Sequence, residues 1–222
     1  MKPMIDQEAL IEMISKASSK QGESVRGAVR DATLRALQGR ELTLQNIRKV
    51  LKKVTEAVST GAMANTAPKQ DVEALLEKTV AGMDDALLKA VEANRVALQR
   101  FVEQGVDLQQ SHLKKALDDL EKLEDAMIGA VRKSSGAAGD QVAALWAPIL
   151  QQMKVGGTGA GAQASATLEQ VAAQARTALR DSRSIGLRTA NALAESYAAM
   201  VGGVLLGMSE AMRGGAASAK KK

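Results

Sequence analysis

Residues 71–133 read DVEALLEKTVAGMDDALLKAVEANRVALQRFVEQGVDLQQSHLKKALDDLEKLEDAMIGAVRK, and an eleven-residue rhythm in this stretch decides the fold. Leu76, Leu87 and Leu98 stand eleven apart, and after Gln109 the column resumes at Leu120 and Val131. A second column holds Val80, Val91, Val102 and Leu113 before it breaks at Glu124. Eleven residues over three turns lie close to the natural pitch of an α-helix, so the apolar stripe hardly drifts around the cylinder. Gly82, Gly105 and Gly129 each weaken the helix by roughly 0.5–1 kcal/mol relative to Ala. Because the phase survives across Gly105, the pattern predicts one continuous helix, on the order of 95 Å long at 1.5 Å per residue. Such a helix lays one face along a straight surface, either other helices or a lipid or polymer boundary.

The rest of the chain points to the same class. Of 222 residues only Phe101, Trp146 and Tyr197 are aromatic, prolines number three, and cysteine is absent. No stretch alternates as a strand would, and the expected fold is all-α, with amphipathic helices in an elongated bundle or coiled-coil-like arrangement. Without cysteine there is neither a disulfide framework nor thiol chemistry, which fits a reducing compartment. The N-terminus, MKPMIDQEALIEM, carries acids where a signal peptide needs an uncharged apolar run. The apolar stretch 198–208, AAMVGGVLLGM, is far short of the roughly 20 residues of a membrane span. A cytoplasmic protein with no transmembrane span is therefore expected.

Working outward, residues 1–62 hold short amphipathic helices. Asp6 is a candidate cap for the first, with Leu10, Met13, Ile14 and Ala17 on one face, and Ser24 for the second, with Val25, Val29, Ala32 and Leu37 inward. Thr43 can cap a third, whose Leu44, Ile47, Leu51, Val54 and Val58 form a short seam opposite Arg48, Lys49, Lys52 and Lys53. Residues 59–70 read as a loop, and SSGAAG at 134–139 as the end of the long helix. Residues 140–155 form a short helix capped by Asp140 and bearing Trp146, with Pro148 delaying or kinking it. Residues 156–161 read as a Gly-rich linker, 163–213 as a long Ala-rich helix, and 214–222 as a disordered basic tail. Nine Lys/Arg against four acids from residue 141 onward place the whole net charge of +5 in that part, and a homo-oligomer is expected of the apolar faces.

The residues that could carry chemistry are few. GTGAGA at 157–162 fits the dinucleotide fingerprint, with Asp181 downstream, but no apolar strand precedes it and no βαβ pattern surrounds it, so a linker is expected. His112 is the one histidine and lacks companion ligands, while Asp118, Asp119, Glu121, Glu124 and Asp125 are spread around a helix as a solvated face. No catalytic, cofactor or metal site is expected, and no enzyme. Trp146 reads first as core, second as an interface anchor. Lys220, Lys221 and Lys222 would give only weak, salt-sensitive contact with an anionic partner such as nucleic acid.

The long amphipathic helices, the Ala/Gln-rich stretch QASATLEQVAAQARTALRDSRSIGLRTANALAESYAA at 163–199 and the AASAKKK ending together resemble the phasins, helical proteins that coat polyhydroxyalkanoate granules in bacteria. The resemblance implies a non-catalytic protein whose amphipathic helices adsorb to a hydrophobic granule while charged faces keep it dispersed. Leu76, Val80, Leu87, Val91, Leu98, Phe101, Val102 and Trp146 are then the candidate surface or partner contacts. Two further readings are a helical-bundle oligomerisation or interaction module, and a nucleoid-associated protein using the basic C-terminal part.

Overall fold

A computed structural model describes residues 5–38, 42–103, 111–181 and 197–208. Among them there is no strand, and eight α-helices pack together: α1 (Gln7–Lys16), α2 (Gly22–Leu37), α3 (Leu44–Ala64), α4 (Lys69–Glu103), α5 (Ser111–Glu121), α6 (Leu123–Ala137), α7 (Asp140–Gly156) and α8 (Gly159–Asp181). Residues 197–208 are helical as well. The fold is all-α.

Local chemistry starts these helices. The Asp6 carboxylate accepts the Ala9 amide at 3.0 Å and the Thr43 hydroxyl accepts that of Asn46 at 3.3 Å, satisfying donors that the first helical turn leaves open. Ser24 caps nothing, because α2 begins two residues earlier, out of the short 3₁₀ turn Ser19–Gln21. Asp140 is likewise already inside α7, and Gly139 takes the cap position with φ 102°, a conformation that L side chains rarely adopt.

The closest pairings are α2 with α4, α4 with α8, α1 with α3, α3 with α6 and α6 with α7. They chain into two ranks, α2–α4–α8 and α1–α3–α6–α7, joined where α3 meets α2 and α4 and where α7 meets α4. Small residues set the tight crossings. At Gly61 of α3 a Cβ would lie 2.7 Å from the Ile14 Cβ of α1, and at Gly82 of α4 it would lie 2.5 Å from the Arg26 carbonyl oxygen of α2. Polar groups fix two of them: the Asn65 amide donates to the Ile14 and Ala17 carbonyls at the end of α1 (2.6 and 2.9 Å). Arg26 makes a two-pronged pair with Asp85 at 2.7 and 2.9 Å.

Several boundaries differ from expectation. The 59–70 stretch is helical as far as Ala64, because its small residues are packing surface rather than breakers. Gly61 admits α1, and Ser59 is buried. Ser134 and Ser135 are buried inside α6 in the same way. The Gly-rich linker shrinks to Gly157 and Thr158, and Pro148 lies within α7 rather than before it. The segment 71–133 is not one rod. Its long helix is the 35-residue α4, and a turn at Lys122 separates α5 from α6. Gly105 itself, most of the Ala-rich segment beyond Asp181 and the 214–222 tail lie outside the described residues.

Candidate functional site

The apolar stripe is the feature on which the sequence concentrates, and it runs along the inside of the bundle. Leu76, Leu87, Leu98 and Val91 are buried with at most 1% exposure, Phe101 and Val102 are buried, and Val80 is half-buried. Leu120 and Val131, on α5 and α6, belong to the same core. At these positions the two columns therefore face other helices of the same chain. Phe101 meets the ring of Tyr197 at 5.9 Å between centroids, and the Tyr197 hydroxyl donates to the Asn94 side chain at 2.6 Å. Burial holds the Tyr197 phenol well above the ordinary tyrosine range, with Asp119 adding to the shift.

Trp146 is fully buried, and its Nε1–H donates to the Ser59 hydroxyl of α3 at 3.1 Å. It is a core residue with its polar edge satisfied. Lys220, Lys221 and Lys222 lie outside the described residues. The Arg48–Lys53 face of α3 is exposed, with Lys52 paired to Glu56 at 3.6 Å, as a solvated face should be.

The stretch 157–162 behaves differently from a linker. It is a helix start whose amides are taken by carboxylates of two other helices. Asp84 of α4 accepts the Gly159 and Ala160 amides, each at 2.8 Å, and Glu124 of α6 accepts that of Thr158 at 2.6 Å. The Thr158 hydroxyl caps Gly161 at 3.0 Å. Each glycine is required by this approach. Gly157 has φ 71°. A Cβ on Gly159 would lie 2.7 Å from Asp84 Oδ2, and one on Gly161 would lie 2.7 Å from Glu124 Cδ. The same backbone geometry that suits a phosphate at a helix N-terminus here holds the protein's own acids.

Asp84 stands in an unusual balance. Burial raises its pKa, outweighing the two amide bonds that lower it, and the neighbouring Asp85 and Glu124 charges push the same way as burial. A cavity of about 350 Å³ opens beside it, floored by Val80, Ala81, Ile149 and Met153 and reaching Gly157–Gly159. A second, of about 440 Å³, lies across Met153 and Gly157 against Glu124, Ile128 and Arg132.

Two of the acids expected to form a solvated face are half-buried and employed as caps. Asp119 accepts the Leu44 amide of α3 at 3.2 Å, and Glu124 accepts that of Thr158. No sequence spacing announces those tertiary caps. Among the described residues no group of His, Asp or Glu is placed to hold a metal ion, and no helix is long and apolar enough to cross a membrane.

No curated protein and no solved structure matches the chain. A family model does match, and it spans residues 1–214. By that match, which covers nearly the whole chain, the protein belongs to the family of unknown function DUF6781.

Proposed function

We propose that this chain is a non-catalytic, phasin-like protein that coats intracellular hydrophobic polymer granules, storing its adsorbing faces inside a helical bundle when no surface is at hand. The observation that carries the reading is the make-up of the α4 stripe and its partners. Leu76, Val80, Leu87, Val91, Leu98 and Val102 form a long, nearly straight apolar face on α4. Two helices give most of its cover: α2, whose buried residues include Val25, Val29 and Leu37, and α8, whose buried residues are the small Ala160, Ala164 and Thr167 with Val171, so that the α8 side of the cover is thin. Small residues remove little apolar area from water, and each Å² contributes only about 25 cal/mol. An extended hydrophobic boundary competes well with such neighbours, since it can cover the whole stripe at once. Charged outer faces, such as Arg48–Lys53 of α3, then stay in water.

The experiment is co-sedimentation of the full chain with amorphous poly(3-hydroxybutyrate) particles, paired with a fluorescent fusion in granule-containing cells. Saturable binding and granule rings are expected. A fusion that stays diffuse, with the protein left in the supernatant, ends this reading.

A second reading is favoured by the burial of Leu76, Leu87, Leu98 and Trp146: a self-contained bundle that serves as an interaction or oligomerisation module. Cooperative thermal unfolding unchanged by the particles would select it.

A further inference from the structure

The seam between α8 and α4 differs from the other close pairings in three independent ways. Its apolar content is small: along α8 the buried positions Ala160, Ala164, Thr167 and Val171 follow 4-3-4 spacing, and Val171 is the largest of them. Its polar content is incompletely satisfied, because the Thr167 hydroxyl is buried and finds no hydrogen-bond partner among the described residues. Its charge content is costly as well: the half-buried Asp84 carboxylate accepts amides but forms no ion pair among the described residues, and burial dominates its environment. Detachment of α8 returns both the hydroxyl and the carboxylate to water.

What lies beneath α8 is part of the stripe. Asp84 and Leu88 touch Gly159, and Val80 shares a cavity wall with it. Val91 follows Asp84 by seven residues and Leu88 by three, and so stands on the same face of α4. At the head of α8, Gly157 has φ 71° and no helical hydrogen bonding of its own beyond the end of α7, which makes the two-residue Gly157–Thr158 link a natural pivot.

We propose that α8 is a detachable cover over the Val80–Val91 face of α4, swinging about Gly157 as one helix, with the Asp84 and Glu124 clamp on residues 158–160 setting its closed position. The idea rests on the surface-coating reading for its purpose, but its mechanics can be tested apart. Two variants of the full chain suffice. In E124C/G161C the two Cβ positions are 2.9 Å apart, so a shift of under about 1 Å reaches the disulfide span of 3.5–4.5 Å, in a chain with no other cysteine. In T167V the orphan hydroxyl is replaced by a methyl of similar size.

Native-state hydrogen exchange is measured first. Most of a protein helix's stability comes from its packed face, so the amides of this 23-residue helix exchange when it lifts. Amides of Ala164 and Val171 are expected to exchange at least tenfold faster than those of Leu51 and Val54 in α3. T167V should slow them roughly 5- to 30-fold, the factor for 1–2 kcal/mol. Adsorption to poly(3-hydroxybutyrate) particles follows. Oxidised E124C/G161C should adsorb at least tenfold more slowly than its reduced form, and added thiol should restore the rate. If oxidised and reduced forms adsorb alike while the parent binds, the cover is overturned and the coating reading survives. If the parent does not bind at all, the coating reading falls, and the cover is judged on exchange. α8 amides that exchange together with those of α3 then overturn it.

Discussion

Gly82→Ala sets helix propensity against packing at one atom, and the structure predicts which wins. In an unobstructed helix, replacing Gly by Ala stabilises by about 0.5–1 kcal/mol, because the unfolded glycine is the freer chain. At Gly82 the new Cβ would sit 2.5 Å from the Arg26 carbonyl oxygen, 3.2 Å from its carbon and 3.1 Å from the Val29 Cβ. The obstacle is the backbone of α2, so no side chain can rotate away, and α2 must retreat by nearly 1 Å. Overpacking of this kind costs about 1–3 kcal/mol. The retreat also stretches the Arg26–Asp85 pair, a partly exposed contact worth under about 1 kcal/mol. The net expectation is a loss of about 1–2 kcal/mol. Gly129→Ala provides the control on α6, where a Cβ would meet nothing within 4 Å and the propensity gain of about 0.5–1 kcal/mol stands alone. Thermal unfolding followed by far-UV circular dichroism measures both, and for a chain of this size the midpoint temperatures should move by about 2–4 °C per kcal/mol, in opposite directions. Equal stabilisation by the two substitutions would refute the close α2–α4 crossing.

Further outcomes bear on the buried and half-buried groups. Ser59→Ala should cost about 1–3 kcal/mol by stranding the Trp146 Nε1–H, and Trp146→Ala about 3–5 kcal/mol. A Ser59→Ala protein as stable as the parent would remove that buried hydrogen bond. Tyr197, the one tyrosine, should resist ionisation until the fold is lost in a spectrophotometric titration. Its folded pKa is raised, so its contribution is complete below the ordinary tyrosine range and declines as pH rises beyond it. Titration at the ordinary value would contradict the burial. Asp84 has a raised folded pKa too. Relative to Asp84→Asn, the parent should lose stability as pH rises from below the ordinary aspartate range through the folded value, and a gain across that window would show that the amide bonds outweigh burial.

The parts of the fold that announce themselves in the sequence are those set by periodicity and local capping. The Leu44–Val58 seam, the Leu10–Ala17 and Val25–Leu37 faces and both α4 columns are inward as their spacing requires. Asp6 and Thr43 cap as side chains of their type do. What stays hidden depends on partners distant in sequence. Ser59, Gly61, Ser134 and Gly159 look like helix breakers in one dimension. In three they are the low-relief surface that lets another helix come close. The apparent continuity of 71–133 has a related cause. An eleven-residue column records which side of a helix is buried, and it keeps its phase whether the next helix continues the first or folds back against it. Leu120 and Val131 keep the register of Leu98 yet lie on α5 and α6. The clamp on α8 was equally invisible, since Asp84 and Glu124 stand 75 and 34 residues from the amides they accept.

That clamp also explains how a phosphate-binding signature can arise at a helix start whose amides are held by the protein's own acids. A Gly-x-Gly-x-Gly helix start leaves several N–H groups bare and unshielded by Cβ atoms, beside the positive end of the helix dipole. Any anion that reaches it satisfies the same geometry, and a tethered carboxylate needs no free ligand. Selection for close approach of Asp84 and Glu124 would favour the same glycines at 157, 159 and 161 as selection for a pyrophosphate. The two cases part in what precedes the glycines. A nucleotide fold brings an apolar strand that opens a crevice, whereas here α7 delivers the loop against α4 and α6, whose acids take its amides. With both acids in place, the first amides of α8 are already spoken for, and the motif is a joint between helices. Its chemistry bears on the stripe through α8: under the proposed cover, whatever holds or frees residues 158–160 decides whether Val80 and Val91 face a helix or a surface.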